Sequence, residues 1–259
     1  MKPHVAILAI AGTTSLSSPG IAQEVVDAGT IQFNEDQVAE LYNGTAWSIE
    51  SAYGLDVEGG DGDIIGHIED FVIDTDGRLV AMVAEVGGFW DLGDTHVSIP
   101  WEEVDFQVSG PVGVPVTEEN VDEYNLFNYA YSQQDEYQPN NDGVSSDIAV
   151  GVDDVQLDNR LWRASDLIGT YARVMGGEDT WANFGFVRDI LIDNSEINAT
   201  VVNTTPAHGP TVYAYPYERM QQQGDSAWWV PGDPTYDIPI LLSKVANQAE
   251  FDPERMNSE

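Results

Sequence analysis

The sequence predicts a mainly β protein made of two small barrels in tandem, and three observations carry that prediction. The pattern Gly-x-apolar-x-Asp-apolar-apolar-Ile-Asp occurs twice, as GHIEDFVID at residues 66–74 and as GFVRDILID at residues 185–193. The match continues on both sides, with Gly59-Gly60 facing Gly176-Gly177 upstream and Pro100-Trp101-Glu102 facing Pro216-Tyr217-Glu218 downstream. Each unit alternates short apolar runs with Gly- and Asp-containing turns, as antiparallel strands and hairpins require.

The elements follow in chain order. Residues 1–22 hold one basic residue, Lys2, an apolar run from Val5 to Ala11, and Gly20 and Ala22 placed like a cleavage site. They read as a secretory signal peptide cut after Ala22, which places the mature chain outside the cytoplasm, in the periplasm. Residues 23–46 form an N-terminal helical segment: NEDQVAELYNG at 34–44 puts Val38, Leu41 and Tyr42 on one face and ends on Gly44. The first barrel spans 47–108, with a hairpin at DTDG (74–77), where Asp and Gly supply local hydrogen bonding and a positive φ. Residues 109–159 are a linker with a short helix, Thr117 capping an acidic first turn and Val121, Tyr124 and Phe127 sharing a face. The second barrel spans 160–222, with a turn at DNSE (193–196) and a strand at 197–202 that places Ile197, Ala199 and Val201 inward, Asn198 and Thr200 outward. Residues 223–259 are a C-terminal tail whose AWWVPGDP (227–234) packs back onto a barrel or serves as a docking peptide.

The strand at 79–86 differs from its counterpart. With Leu79, Ala81 and Val83 inward, the outward positions hold Val80, Met82, Ala84 and Val86. This apolar stripe, with Phe89 and Trp90 beyond it, is the candidate interaction surface. The alternative is that the second barrel or the linker helix covers it.

Composition narrows the function classes. A chain of 259 residues with 42% hydrophobic residues can bury a real core over one or two domains. No later run approaches the ~18 apolar residues of a membrane-spanning helix. Nine basic against 45 acidic residues give a formal charge of −36, which repels phosphate backbones and anionic membranes, so no nucleic-acid partner is expected. Such a surface fits a secreted protein in saline medium, where cations screen it. The absence of cysteine excludes disulfides, thiol catalysis and thiolate metal sites.

The motif order resembles the PRC-barrel family: a Gly-Gly turn, the Gly-x-apolar-x-Asp strand, a hairpin, an apolar strand, a glycine-rich loop and apolar-Pro-aromatic-Glu. The stretches ASDLIGTYARV (164–174) and, more loosely, SAYGLDV (51–57) are similar to that family's first strand. The resemblance covers residues 47–108 and 160–222, and its signature positions are Gly66, Asp70, Asp74, Pro100 and Trp101, then Gly185, Asp189, Asp193, Pro216 and Tyr217. PRC-barrels occur in the H subunit of photosynthetic reaction centres and in a ribosome maturation factor, where they serve assembly and docking. The resemblance therefore implies a non-catalytic interaction or scaffold module with a protein partner. The chain departs from both examples, lacking the H subunit's membrane helix and the maturation factor's additional N-terminal domain, so neither specific function transfers.

Chemistry-bearing residues are few. His67, His96 and His208 lack any His-Glu-x-x-His spacing and read as structural or surface residues. Asp70 and Asp189 interrupt apolar strands at matched positions. Each is either a general acid or base of raised pKa, or a carboxylate accepting backbone N–H groups at a strand bend, and recurrence in both units favours the second. The acidic clusters DGD (61–63), DTDG (74–77) and DLGD (91–94) suggest calcium, but a loop begun at Asp74 has Arg78 and Leu79 where an EF-hand needs a ligand and a glycine. Divalent cations are expected to bind weakly, and no residue is assigned to a metal or cofactor. Without a Gly-x-Ser-x-Gly elbow or a phosphate loop, no catalytic residue is assigned. The expected function is a secreted scaffold module; the rivals are a cation-binding or salt-adapted envelope protein and an enzyme outside these motifs.

Overall fold

The computed structural model describes residues 32–74, 76–87, 95–117, 119–126, 161–177, 180–217, 228–229, 232–245 and 248–257. They form a mainly β structure of two sheets. The signal-peptide region, Phe89, Trp90 and DLGD at 91–94 lie outside the described residues.

The first sheet takes β2 (Asp56–Glu58), β3 (Ile64–Ile73), β4 (Leu79–Val86), β5 (Thr95–Pro100), β6 (Val112–Gly113) and β7 (Asn125–Leu126) in the order β6-β2-β3-β4-β5-β7. The second takes β9 (Tyr171–Gly177), β10 (Thr180–Asp193), β11 (Glu196–Thr204), β12 (Val212–Pro216) and β13 (Thr235–Leu241) in the order β12-β11-β10-β9-β13. Each sheet is an antiparallel meander closed by one parallel strand, β6 against β2 and β13 against β9. The tail is thus partly sheet: Tyr236, Ile238 and Ile240 alternate inward from β13, and Trp228 and Trp229 are buried beside it.

The remaining two strands are exchanged. β1 (Trp47–Ser48), which leads into the first unit, pairs with β10 of the second sheet, Trp47 opposite Ile192. β8 (Trp162–Arg163), which leads into the second unit, pairs with β3 of the first, Arg163 opposite Val72. The hairpin tips exchange bonds as well: Leu79 N–H donates to Ser195 C=O at 2.9 Å and Ile197 N–H to Gly77 C=O at 2.8 Å. Trp101 Nε1 donates to Ser195 Oγ at 2.8 Å, while the Tyr217 ring lies against Gly77. A single core runs through both units, from Trp47, Phe71 and Met82 to Ile190, Val202 and Tyr215.

Gly66 and Gly185 are glycine because of that packing. A Cβ on Gly66 would lie 1.9 Å from the Glu85 carbonyl oxygen, and one on Gly185 2.0 Å from that of Asn203. The two hairpins solve the turn differently: Gly77 has φ +81°, whereas Asn194 and Ser195 take φ +50° and +63° in a two-residue turn.

Two bulges recur in both units. Glu69 and Arg188 are the extra residues of the first, Val80 and Asn198 of the second. The second bulge corrects the expected strand faces, because an extra residue reverses the alternation beyond it. Met82, Ala84 and Val86 join Leu79 in the shared core and are fully buried, so they form no exposed stripe; Val80 is half-buried. Ala81 and Val83 lie instead in a small cluster with Val72. Thr200, expected outward, is buried with its hydroxyl donating to Tyr236 Oη at 3.0 Å.

Helix α1 (Glu35–Asn43) forms where expected. Asn34 and Gln37 cap it reciprocally, and Gly44 N–H closes it on Glu40 C=O at 2.9 Å. Val38 and Leu41 cover Leu191, Ala199 and Val201 on the outer face of the second sheet, with Phe251 stacked on Tyr42. The linker helix differs from expectation: Asn120 Oδ1 takes the Thr117 N–H, and a 3₁₀ turn at Val121–Glu123 leads into β7. Phe127 lies outside the described residues.

Candidate functional site

The exchanged strands carry two short helices, α2 (Ile49–Ala52) after β1 and α3 (Ala164–Leu167) after β8. Each helix begins over the repeated-pattern aspartate of the other unit. Asp189 accepts Ser48 Oγ–H at 2.5 Å, Glu50 N–H at 3.0 Å and Ile190 N–H at 2.7 Å. Asp70 accepts Ser165 Oγ–H at 2.5 Å, Ser165 N–H at 3.3 Å, Phe71 N–H at 2.8 Å and Tyr53 Oη–H at 3.3 Å. Glu50 and Ser165 occupy matching places in their helices, so the two arrangements are reciprocal.

Both carboxyls are buried, and burial pushes each above the ordinary aspartate range while hydroxyl and amide donors oppose it. Burial, then the Asp70 charge, raises the Tyr53 phenol as well. With donors from the chain on both oxygens, each carboxylate fastens one unit's leading strand to the other unit's bulge. That is the chemistry of a clasp and not of a proton donor to substrate. Asp74 is similarly occupied: its Oδ1 accepts Asp76 and Arg78 N–H at 2.9 Å each, and its carbonyl accepts Trp162 Nε1–H at 3.1 Å. Asp193 accepts the Thr45 hydroxyl. An open recess of about 310 Å³ beside it is lined by Gln37, Glu40, Thr45 and Asn198.

Pro100 and Pro216 end β5 and β12 opposite Ala81 and Ala199. Trp101 joins an aromatic cluster with Phe71, Phe106 and Trp47, the last two stacked at 4.1 Å between ring centroids. Trp47 therefore has its backbone in the second sheet and its ring in the first unit.

Residues 48–121 match the family model of the PRC-barrel domain. That stretch of the chain is similar to a PRC-barrel domain. A search of curated proteins finds no match. The family match begins at Ser48, in the strand that the first unit lends to the second sheet, and runs through β6 to the turn at Val121. A PRC-barrel domain points to a non-enzymatic module, in keeping with carboxylates spent on the scaffold.

One constellation escaped sequence reasoning. Register places Asp56 opposite His67, His67 opposite Glu85 and Glu85 opposite His96, a row across four strands of the PRC-barrel sheet. His67 Nε2 lies 3.3 Å from Glu85 Oε2, and His96 Nε2 lies 4.0 Å from the same oxygen. Glu69, the bulge residue, brings Oε2 to 3.9 Å from His67 Nε2. His67, Glu69 and Glu85 each offer one ligand atom, all within 4.8 Å of one another. These three lie on two strands, with His96 on a third, so no linear motif links them; the period-two spacing of His67 and Glu69 was the signal available. His208 stands apart, bonded to the Asn183 carbonyl at 3.0 Å and packed on Phe184.

Proposed function

We propose that this chain is a secreted, non-catalytic scaffold or interaction module of the cell envelope, built from two interlocked PRC-type barrels that serve a protein partner. The observation that carries the reading is the reciprocal clasp. The matched carboxylates, where an enzyme of this design would keep its acid and base, hold the scaffold together. The same strand order, bulges and close-approach glycine in residues 160–222 support a second barrel of the same kind.

The contact face moves away from Met82. Tyr171, Trp181 and Phe186 are 51%, 38% and 41% exposed on the second sheet, with the Tyr171 and Phe186 rings 5.0 Å apart and Arg173 over Trp181. Aromatic and Arg side chains of this kind anchor protein interfaces. Crosslinking in the intact envelope of the native host, followed by mass spectrometry, tests the reading. A recurrent protein partner lost with Tyr171→Ser and Phe186→Ser supports it; finding the chain crosslinked to nothing but itself overturns it.

The charge of −36 favours a second reading, a salt-adapted or cation-binding envelope protein. Calcium raising the melting temperature beyond a sodium control of matched ionic strength would favour that reading.

A further inference from the structure

We propose that His67, Glu69 and Glu85, with His96 beside them, form a binding site for a divalent transition-metal ion, zinc being the representative. The donor set points to this class: imidazole nitrogen suits zinc, copper and nickel, whereas calcium and magnesium prefer oxygen alone. Two of the chain's four histidines stand on either side of one glutamate.

The spacing is that of ligands. Donors each about 2.1 Å from a tetrahedral zinc lie roughly 3.4 Å from one another. The ligand atoms of His67, Glu69 and Glu85 all lie within 4.8 Å of one another, His67 Nε2 being 3.3 Å from Glu85 and 3.9 Å from Glu69, while His96 Nε2 reaches only Glu85, at 4.0 Å. Their Cα positions are fixed by three neighbouring strands at a common register, which is a rigid platform for a site. Solvent on the outer side leaves room for a water ligand.

The row also belongs to the first unit alone. The positions matching His67, Glu69 and Glu85 hold Phe186, Arg188 and Asn203, and the one matching His96 holds Val212. The fold therefore does not require the row. A surface ion pair of this exposure contributes only ~0–1 kcal/mol, so stability gives little reason for it. The acidic surface concentrates cations of every kind, and the imidazoles select among them.

Calorimetric titration of zinc into the metal-stripped full chain, in saline buffer at neutral pH, is the test. One site should stand above the diffuse uptake of the acidic surface. His67→Gln, Glu69→Gln and Glu85→Gln should each weaken it at least about tenfold, while Glu196→Gln leaves it unchanged, with folding checked by circular dichroism. X-ray absorption of the zinc-loaded chain should find imidazole nitrogen on the metal. Zinc uptake unaltered in the His67→Gln, His96→Gln double variant, displacement of zinc by magnesium at equal ionic strength, or an all-oxygen environment would each overturn the proposal.

Discussion

In the first unit the row crossing β2, β3, β4 and β5 reads Asp56, His67, Glu85, His96; in the second the matching row across β9 to β12 reads Tyr171, Phe186, Asn203, Val212. Beneath these different surfaces the backbone devices are the same: a glycine against a carbonyl, two bulges, and an aspartate clasped by the other unit. The comparison separates what holds the protein together from what each face presents. Residues shared by position belong to the scaffold, and residues that differ at one position carry the individuality of each unit, polar and titratable on one side and aromatic on the other.

The largest effects should come from the shared devices. Gly66→Ala and Gly185→Ala each drive a methyl into a carbonyl oxygen, and each should cost about 3 kcal/mol or more in urea unfolding. A large loss at one site and none at the other would break the equivalence of the units. Asp70→Ala and Asp189→Ala strand buried N–H donors and should each cost about 2–4 kcal/mol. Because one core spans both units, the loss should appear as a shift of a single cooperative transition.

Asparagine at the same positions sharpens the comparison through pH. A carboxyl whose pKa is raised by folding binds its proton more tightly in the folded state. Wild-type stability should therefore fall as pH rises from about 3.9, the ordinary aspartate value, through the raised folded values. Urea midpoints across that range should fall less steeply in the Asp70→Asn, Asp189→Asn double variant.

Smaller differences distinguish the two clasps. Ser48 both donates to Asp189 and caps α2, accepting Ser51 N–H at 3.0 Å, so Ser48→Ala should cost roughly 1–2 kcal/mol. Ser165→Ala removes the hydroxyl and leaves its N–H on Asp70, for a loss of about 1 kcal/mol. Arg78→Ala, which breaks the exposed 3.2 Å pair with Glu196 between the hairpin tips, should leave the urea midpoint essentially unchanged.

Much of this architecture was legible in the sequence. The repeated Gly-x-apolar-x-Asp strand marked the two units, and the apolar face of residues 34–44 with its stop at Gly44 marked α1. Strand faces failed at Val80 and Asn198, because a bulge adds one residue without any compositional mark. The exchange was also invisible: periodicity tells which face of β1 and β8 is apolar, while the two leading segments are alike enough that pattern alone cannot say which sheet takes which. The histidine–glutamate row was missed for a related reason, since register and not sequence distance brings His67, Glu85 and His96 together.

The exchange of leading strands is the central claim, and cutting the chain tests it most directly. A protease site placed between residues 127 and 160 of the folded full-length protein would sever the covalent link and leave the interlock to hold the halves. Size-exclusion chromatography and thermal unfolding of the cleaved protein should find a one-to-one complex that melts in a single, concentration-dependent transition. Halves that separate, each keeping its own fold and its own melting temperature, would contradict the account.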